Sequence, residues 1–275
     1  MHKQIFHKMV TEDEIASWDY AKLWDKFPVP ARPSKEELYF LGKEIDGMSP
    51  TKILILGSTI EYRDLCKKKL ICPYIADFDR QHYKILTKYS KEKFANEHFL
   101  EIDWLKIKDS GKYDMIIGHR AFNVIGKKMM NKFFSNMFKA LKPGGVFFCK
   151  GNIFYKNQKD NLFELVDKWA FRKREYPLFS YIEVCLYFHC ADKNGYVDYP
   201  KATNLMKILY ERKKILKEDY GLIKILISMS SEARFRGKIS QKEIRTAIKL
   251  SGFSDEWIVL DKTICKNMPI IKLTK

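Results

Sequence analysis

The sequence contains no long apolar run. No stretch in its 275 residues approaches the ~18 consecutive apolar residues that a membrane-spanning helix requires. The first residues, MHKQIFHKMVTEDE, mix charged with apolar residues and lack the continuous apolar core of a signal peptide. We therefore expect a soluble, cytoplasmic protein without a membrane partner.

Closely spaced cysteines are also missing. Six cysteines are present, and no two of them have the C-x-x-C spacing that many zinc sites use. They are Cys66, Cys72, Cys149, Cys185, Cys190 and Cys265. We expect no metal site, and free, mostly buried thiols in a cytosolic protein.

Acidic residues are fewer than basic ones. The chain has 34 Asp and Glu against 51 Lys and Arg, which gives a net charge of +17. Such a charge is compatible with a nucleic-acid or other anionic partner. The lysines are spread along the whole chain, however, and this favours a solvated lysine surface over a nucleic-acid interface. The sequence does not decide whether the charge is functional or compositional, and it leaves the oligomeric state open.

The most informative stretch is KILILGSTIE, at residues 52–61. Four consecutive apolar residues, Ile53 to Leu56, are typical of a strand that is buried on both faces of a parallel sheet. Gly57 then allows a sharp turn or the close approach of a ligand, because it has no Cβ. A helix predicted over Glu61–Lys68 completes the first half of a βαβ unit, whose turn is the usual nucleotide crevice.

Further apolar segments alternate with helical patterns. The predicted strands are Ile71–Ala76, Phe99–Asp103, Tyr113–Gly118 and Val146–Cys149, and the predicted helices are Arg80–Tyr89 and Lys127–Leu141. Five strands that alternate with helices predict a parallel sheet with right-handed crossovers.

The regions before and after this predicted core are predicted to be mainly helical. Before the core we predict helices over Asp13–Lys26 and Lys35–Ile45, the second capped by Ser34 and Glu37. After the core the patterns predict a helix over Gln158–Arg172, a strand over Phe179–Phe188, a helix over Lys201–Tyr220, a weaker helix or loop over Gly221–Arg236, a helix over Ser240–Leu250, and strands over Trp257–Leu260 and Ile270–Leu273.

Polar residues follow the predicted strands. Asp77 and Asp79 come about 20 residues after the Gly57 turn, where a carboxylate accepts hydrogen bonds from ribose hydroxyls. Asp77 lies nearer the strand end and is preferred, while Asp79 suits the N-cap of the next helix. Asp103, beside Trp104, suits an adenine, because its carboxylate can accept from the exocyclic amine. His119, Arg120 and Asn123 follow the fourth strand and face the same crevice.

In this order, the segments resemble a class I S-adenosylmethionine-dependent methyltransferase, over about residues 52–150. ILILGST stands at the family's glycine-rich loop, IADFD at its ribose-binding acid and FLEIDW at its adenine-binding Asp. YDMIIGHRAFN stands at the fourth strand and LKPGGVFFCK at the fifth-strand signature. The resemblance implies an α/β fold, Rossmann-like and doubly wound. It also implies a mostly parallel seven-stranded sheet with a C-terminal antiparallel hairpin, N-terminal helices and a helical insertion.

The resemblance implies S-adenosylmethionine as cofactor and S-adenosylhomocysteine as its product. The implied cofactor-binding residues are Gly57, Ser58, Thr59, Asp77, Phe78, Asp103, Trp104, Gly118 and His119. One departure concerns the first loop, where the family usually has two or three glycines and this chain keeps only Gly57. Small hydroxyl residues in their place still permit close approach and donate hydrogen bonds.

Methyl transfer from a sulfonium is an in-line displacement, so an enzyme mainly aligns nucleophile and methyl carbon. His119 and Arg120 are the catalytic candidates, and Asn123 and Tyr155 are the substrate-site candidates. The stretch GHRAFN lacks the prolines of base- and glutamine-methylating relatives, which favours a small-molecule acceptor.

The expected organisation is an N-terminal helical lid at 1–48, a cofactor-binding core at 49–178, a substrate or lid insertion at 179–250, and final strands at 251–275. Three alternatives stay open. One is an RNA or protein methyltransferase that uses the basic surface, and another is a non-catalytic Rossmann-like binding or scaffold protein. The third, an NAD dehydrogenase, is weaker, because GSTIEY supplies only the first glycine of G-x-G-x-x-G.

Overall fold

The structure, a computed structural model, describes residues 24–25, 27–92, 96–155, 161–171, 177–230, 235–260 and 267–275. Of the predicted helix Asp13–Lys26, all but Trp24 and Asp25 lies outside the described residues. Within the described part of the chain, no helix is both long and apolar enough to cross a bilayer. Five of the six cysteines are described, and each of these five is a thiol outside any disulfide bond.

Seven strands form one sheet. They are β1 (Ile53–Leu56), β2 (Tyr74–Asp77), β3 (His98–Glu101), β4 (Tyr113–His119), β5 (Leu141–Lys150), β6 (Ser254–Ile258) and β7 (Ile270–Thr274). Their order across the sheet is β3-β2-β1-β4-β5-β7-β6. The first five strands pair in parallel, and β7 runs antiparallel to both β5 and β6. The predicted doubly wound sheet with its C-terminal antiparallel hairpin is confirmed.

Nine α-helices are described. They are α1 (Lys35–Met48), α2 (Ile60–Lys68), α3 (Arg80–Thr87), α4 (Met130–Ala140), α5 (Leu162–Phe171), α6 (Leu178–His189), α7 (Tyr199–Glu211), α8 (Lys217–Ser230) and α9 (Gln241–Ser251). The predicted cap at Ser34 is confirmed, because Ser34 Oγ accepts from the Glu37 N–H at 3.1 Å. Ser240 caps α9 in the same way, since its Oγ accepts from the Glu243 N–H at 3.1 Å.

The four apolar residues of β1 serve both faces of the sheet. Ile53 and Ile55 point to the face covered by α1 and α2, whereas Leu54 and Leu56 point to the face covered by α4 and α9. Successive side chains of a strand alternate between faces, so an uninterrupted apolar run is what a doubly covered strand requires. The sharp turn at Gly57 is thereby fixed at the end of a rigid, central strand.

Helices α5 to α8 form the helical insertion and have an apolar core of their own. This core also takes in Trp24 and Phe27 from the N-terminal segment, and Ile60 and Leu86 from α2 and α3. The insertion therefore packs against the N-terminal segment and against the two helices that follow β1 and β2.

Two predictions in this region are wrong. The predicted strand Phe179–Phe188 is the helix α6, whose buried residues lie on nearly all sides. Because apolar residues lie on nearly all sides of this helix, its sequence shows no helical periodicity. The aromatic residues of the segment then favoured the prediction of a strand. The predicted single helix Lys201–Tyr220 is two helices, and the chain between α7 and α8 takes a left-handed conformation at Lys213, with φ +56°.

Other boundaries moved by a few residues. Strand β5 begins at Leu141, so the preceding helix α4 ends at Ala140. That helix begins at Met130, after a 3-10 turn over Lys127–Met129.

Candidate functional site

The carboxyl ends of β1, β2 and β4 meet at a turn centred on Gly57. Leu56, the last residue of β1, pairs with Ala76 of β2 and with Gly118 of β4. Gly57 has φ +83°, a left-handed conformation that favours glycine, and its N–H donates to the Ala76 carbonyl at 2.8 Å. The turn is thus tied to β2, and its position matches the crevice where open parallel sheets bind ligands.

Trp104 supports this turn from one side. Its indole Nε1 donates to the same Ala76 carbonyl at 2.7 Å. Its Cζ2 atom lies 3.6 Å from the place where a Cβ on Gly57 would stand. The ring also faces Phe133 of α4, with centroids 6.4 Å apart. The partly buried indole therefore belongs to the wall of the crevice and to the core at once.

Asp77 ends β2 and lies beside the turn. Its side chain is buried, Oδ2 accepts from Ser58 Oγ at 2.6 Å, and Oδ1 accepts from the Asp79 N–H at 3.2 Å. His82 Nδ1 lies 3.3 Å from Oδ2. A carboxylate has about four acceptor positions, so at least one is left for a ligand hydroxyl.

Asp79 caps α3, as the sequence predicts. Its Oδ1 accepts from the N–H groups of Gln81 at 2.8 Å and His82 at 3.0 Å. Phe78, between the two aspartates, is 58% exposed. The acid that caps the helix and the acid that faces the turn are therefore different residues.

Asp103 lies close to Asp77, because the chain after β3 is bonded to the end of β2. The Ile102 N–H donates to the Asp77 carbonyl at 2.9 Å. Asp103 itself is exposed, and its Oδ1 accepts from the Leu105 N–H at 2.9 Å. The structure thus brings Gly57, Asp77 and Asp103 to one edge of the sheet.

Four ionisable side chains form a buried cluster at the ends of β4 and β5. Glu37 Oε2 is 2.5 Å from Lys150 Nζ, and its Oε1 accepts from the Tyr62 hydroxyl. His119 Nδ1 lies 3.4 Å from Glu37 Oε1 and 3.4 Å from the Tyr62 hydroxyl. The four side chains are at most 4% exposed. Glu37 of α1 therefore holds together residues of α2, β4 and β5.

The cluster sets the charge states of its members. Burial alone would raise the pKa of Glu37, but the charges of Lys150 and His119 outweigh it and hold that pKa well below its ordinary value. Burial, with the charge of Glu37, raises the pKa of Tyr62 well above its ordinary value. Glu37 is therefore a carboxylate, and Tyr62 is a neutral hydroxyl that donates to it.

From this cluster, the sequence predicts only His119 as a site residue, and it places Glu37 in the cap of α1. One pattern would have identified Glu37. The spacing of Glu37, Leu41 and Ile45 is i, i+4, i+8, which puts the glutamate on the buried face of the helix. A lysine directly after the apolar run Val146–Cys149 is the corresponding signal for Lys150.

The N-terminal segment covers His119. The imidazole Nε2 lies 3.1 Å from the carbonyl oxygen of Pro30, so Nε2 carries a proton and donates in this arrangement. The segment is also held at the start of α2, where Glu61 accepts from Arg32 Nε at 2.7 Å and from Trp24 Nε1 at 3.0 Å. Both ring nitrogens of His119 thus face protein atoms.

Arg120 joins the end of β4 to the insertion. It has φ +55°, and its N–H donates to the Lys150 carbonyl at 2.6 Å. Its guanidinium makes two bonds to the buried carboxylate of Glu183 on α6, at 2.7 and 2.6 Å. A bidentate pair of this kind fixes both groups in place.

Asn123 is fully buried and connects three segments. Its Nδ2 donates to the carbonyls of Asn152 at 3.1 Å and Arg236 at 2.9 Å, and its Oδ1 accepts from the Asn152 N–H at 2.9 Å. These bonds hold the chain after β4 to the chain after β5 and to the segment before α9.

Of the three remaining candidates, two lie near the Gly57 turn and one lies on the face of the sheet that α4 and α9 cover. Thr59 is the N-cap residue of α2, and its side chain makes no capping bond. Gly118 lies beside β1, where a Cβ would stand 3.0 Å from Ala121 Cβ. Tyr155 packs against the core beneath α4 and α9, and burial raises the pKa of its hydroxyl.

No protein-family model matches the chain, and no curated protein sequence matches it. Several solved structures are similar to it. One is a proposed Zn-dependent alcohol dehydrogenase from Rhodobacter sphaeroides, with TM-score 0.60 and 12% identity, covering 97% of this chain and 100% of that one. The described residues hold no group of three or more His, Cys, Asp or Glu that could bind a metal ion.

Two further similar structures are methyltransferases. One is a proposed O-methyltransferase from Nostoc punctiforme, with TM-score 0.55 and 10% identity, covering 94% of this chain but only 60% of that one. The other is 1,6-didemethyltoxoflavin-N1-methyltransferase from Burkholderia thailandensis, with TM-score 0.52 and 8% identity, covering 96% and 85%. Identities this low concern the fold alone. With the strand order described above, they show that the chain has the Rossmann-like fold of class I S-adenosylmethionine-dependent methyltransferases.

Proposed function

We propose that this protein transfers a methyl group from S-adenosylmethionine to a small-molecule acceptor. The observation that carries the proposal is the buried Asp77 carboxylate beside the left-handed turn at Gly57. Gly57 stands at the switch point between β1 and β4, and Asp77 ends the neighbouring strand β2.

The residues at this edge suit the cofactor. The Gly57 turn permits the close approach of the methionine part, and Ser58 and Thr59 offer hydroxyl groups there. Asp77 has at least one acceptor position left for a ribose hydroxyl. Asp103 is exposed and supplies a carboxylate for the adenine amine, while the exposed ring of Phe78 offers an apolar surface for the base.

The cofactor, when bound, supplies a sulfonium methyl group that a nucleophile can attack in line. The chain's part is to hold the acceptor at near-attack distance and to exclude water. A proton that the acceptor loses must be taken up by a group on the substrate side of the site, and His119 is the candidate base. Its Nε2 donates to the Pro30 carbonyl, so it can accept a proton only after the N-terminal segment has moved away and the imidazole is neutral.

Residues 1–48 and 179–250 together serve as the lid. Trp24 and Phe27 share an apolar core with the insertion, and Arg120 is bonded to Glu183 on α6. Both regions therefore meet the strand ends from the side on which an acceptor would enter. The deletion that tests the lid stops before α1, because α1 carries Glu37 and covers one face of the sheet. Removing residues 1–33 should abolish turnover while cofactor binding by the rest of the chain is retained.

A small-molecule acceptor is supported by one similar structure. The Burkholderia enzyme was solved with 1,6-didemethyltoxoflavin and S-adenosylhomocysteine bound. The match covers 96% of this chain and 85% of that one, so a protein of this fold holds a small-molecule acceptor beside the cofactor product there.

The test is calorimetric titration with S-adenosylmethionine and S-adenosylhomocysteine. We expect micromolar binding by the wild-type protein and at least tenfold weaker binding by Asp77→Asn, which preserves shape but removes the charge. Asp167→Asn is the matched control, because Asp167 pairs with Lys214 on the insertion, away from the strand ends. If the folded wild-type protein binds neither compound, the non-catalytic scaffold interpretation replaces this proposal.

A further inference from the structure

The side-chain amide of Asn152 is buried and makes no hydrogen bond to the part of the chain that the structure describes. Asn152 is fully buried, and neither its Nδ2 nor its Oδ1 has a hydrogen-bond partner among the described residues. A buried polar group normally has a hydrogen-bond partner, because transferring the group out of water without one costs free energy. A carboxamide that has lost both a donor and an acceptor interaction therefore requires an explanation.

The backbone holds this carboxamide firmly in place. The N–H and the carbonyl of Asn152 are both bonded to the Asn123 side chain. The preceding residue is Gly151, where a Cβ would stand 2.3 Å from Phe122 Cζ and 2.4 Å from Asn123 Oδ1. Only glycine permits this close packing, so the main chain carrying Asn152 is fixed against the end of β4.

Asn152 lies at the carboxyl ends of the strands, one strand further from the Gly57 turn than His119. Asn152 comes two residues after Lys150, the last residue of β5, and Lys150 pairs in register with His119 at the end of β4. Strand β4 separates this edge from the turn at Gly57, which belongs to β1. The carboxamide therefore lies beyond the cofactor residues, where the strand ends meet the insertion.

A second unpartnered group lies in the same bonded network. Arg236 is 1% exposed, and its N–H donates to the Asn123 carbonyl at 2.7 Å. Its Nη2 pairs with Glu243 at 2.8 Å, but its Nε has no partner among the described residues. Asn123 thus joins two segments that each carry an unused buried polar group.

We infer that Asn152 binds the methyl acceptor, and that this acceptor carries an amide-type edge, with an N–H donor beside a carbonyl or ring-nitrogen acceptor. The inference rests on the proposed function and names its substrate class. A carboxamide presents two N–H donors beside an oxygen acceptor, so its natural complement is a lactam, an amide or a heterocycle with the same adjacent pair. Asparagine recognises the edge of adenine by the same two-bond geometry.

The probe is 2-pyridone, the smallest ring with an adjacent N–H and C=O. Its matched control is 1-methyl-2-pyridone, which has the ring and the carbonyl but no N–H. Both are titrated by ligand-observed NMR into protein held in excess S-adenosylhomocysteine. We expect 2-pyridone to bind at least tenfold more tightly than its methylated control, because the control leaves the buried Oδ1 without a donor. Equal binding of the two probes, or binding of neither, overturns the inference.

Asn152→Leu tests the residue itself. Leucine has a similar branched shape without polar atoms, so we expect the preference for 2-pyridone to vanish. The unfolding temperature should stay the same or rise, because an unpartnered buried amide has been removed. A fall in unfolding temperature would mean that the amide serves the fold, and it would overturn the inference. Asn152→Asp keeps the acceptor but lacks the donors, and it should also lose the preference.

The affinity for S-adenosylhomocysteine separates this inference from the proposed function. We expect Asn152→Leu to bind it as the wild type does, because Asn152 lies away from the turn at Gly57. If the wild type binds it but does not discriminate between the probes, only the assignment of Asn152 fails. If the wild type does not bind it, the proposed function itself fails.

Discussion

The two halves of the candidate site are built differently. At the ends of β1 and β2, the contacts are short in sequence: Ser58 and Asp77 are bonded across 19 residues. At the ends of β4 and β5, they are long: Arg120 reaches Glu183 across 63 residues, and Lys150 reaches Glu37 across 113. The first half is made by consecutive segments, from β1 to the turn after β3, while the second depends on the N-terminal segment and the insertion.

The two halves also differ in how their charges are treated. Asp103 is exposed, and Asp77 keeps an acceptor position for a ligand. Glu37 and Lys150 are instead buried and paired with each other, and the buried carboxylate of Glu183 is paired with Arg120. A buried ion pair that loses one member leaves an uncompensated charge, so the second half should respond to substitution through stability and the first through binding.

The largest expected effect is that of Glu37→Gln. Loss of this carboxylate leaves Lys150 without its partner at 2.5 Å, and removing one member of a buried pair costs about 3–5 kcal/mol. The neighbouring Glu36→Gln is the matched control, and its exposed side chain should change stability by only about 0.5 kcal/mol or less. Urea unfolding measures both. Equal effects would show that the cluster is not the support we describe.

Acid should weaken the same cluster. The pKa of Glu37 is held below its ordinary value of 4.5 in the folded protein, so the folded state binds fewer protons than the unfolded chain. Stability from this group is therefore present above pH 4.5 and is lost as the pH falls further, by about 1.4 kcal/mol per pH unit for one proton. Unfolding curves of Glu37→Gln between pH 5 and pH 3 should have a shallower pH dependence than those of the wild type. Parallel curves would contradict this assignment.

This contrast also explains what the sequence could predict. The turn at Gly57, the acid at Asp77 and the cap at Asp79 follow from local spacing and turn chemistry, and the structure places them together. The seven-stranded sheet follows from the alternation of apolar runs with helices. None of these inferences depends on which distant segments of the chain contact each other.

The second half could not be predicted in this way. The local motif at Ser34 and Glu37 is satisfied, since Ser34 does cap α1, yet the Glu37 side chain is committed to residues far along the chain. Helix α6, which supplies Glu183, was predicted as a strand, because a segment buried on nearly all sides shows no period. Asn152 has no sequence signal, because only the structure shows that its side chain makes no hydrogen bond to the described residues.

A smaller effect is expected from Gly57→Ala in the cofactor half. The new Cβ would lie 3.6 Å from Trp104, which is ordinary contact, but alanine is strained at φ +83° by about 1–2 kcal/mol. Gly47→Ala is the control of opposite sign, because Gly47 lies within α1 with open space around it, and alanine there should stabilise by about 0.5–1 kcal/mol. Calorimetric unfolding distinguishes the two. S-adenosylhomocysteine should bind more weakly to Gly57→Ala only, and unchanged binding would remove the turn from the cofactor site.

The smallest change in stability, and the sharpest test of the contrast, is expected from Phe78→Ala. Phe78 is 58% exposed, so its truncation should alter the free energy of unfolding by only about 0.5 kcal/mol or less. Phe171→Ala, at a phenylalanine on α5 that is 90% exposed, is the matched control. If the Phe78 ring covers the adenine, S-adenosylhomocysteine should bind several-fold more weakly to the first variant and normally to the second. A loss of stability without a loss of affinity would place Phe78 in the packing instead, and the division between a binding half and a supporting half would then fail at its most exposed residue.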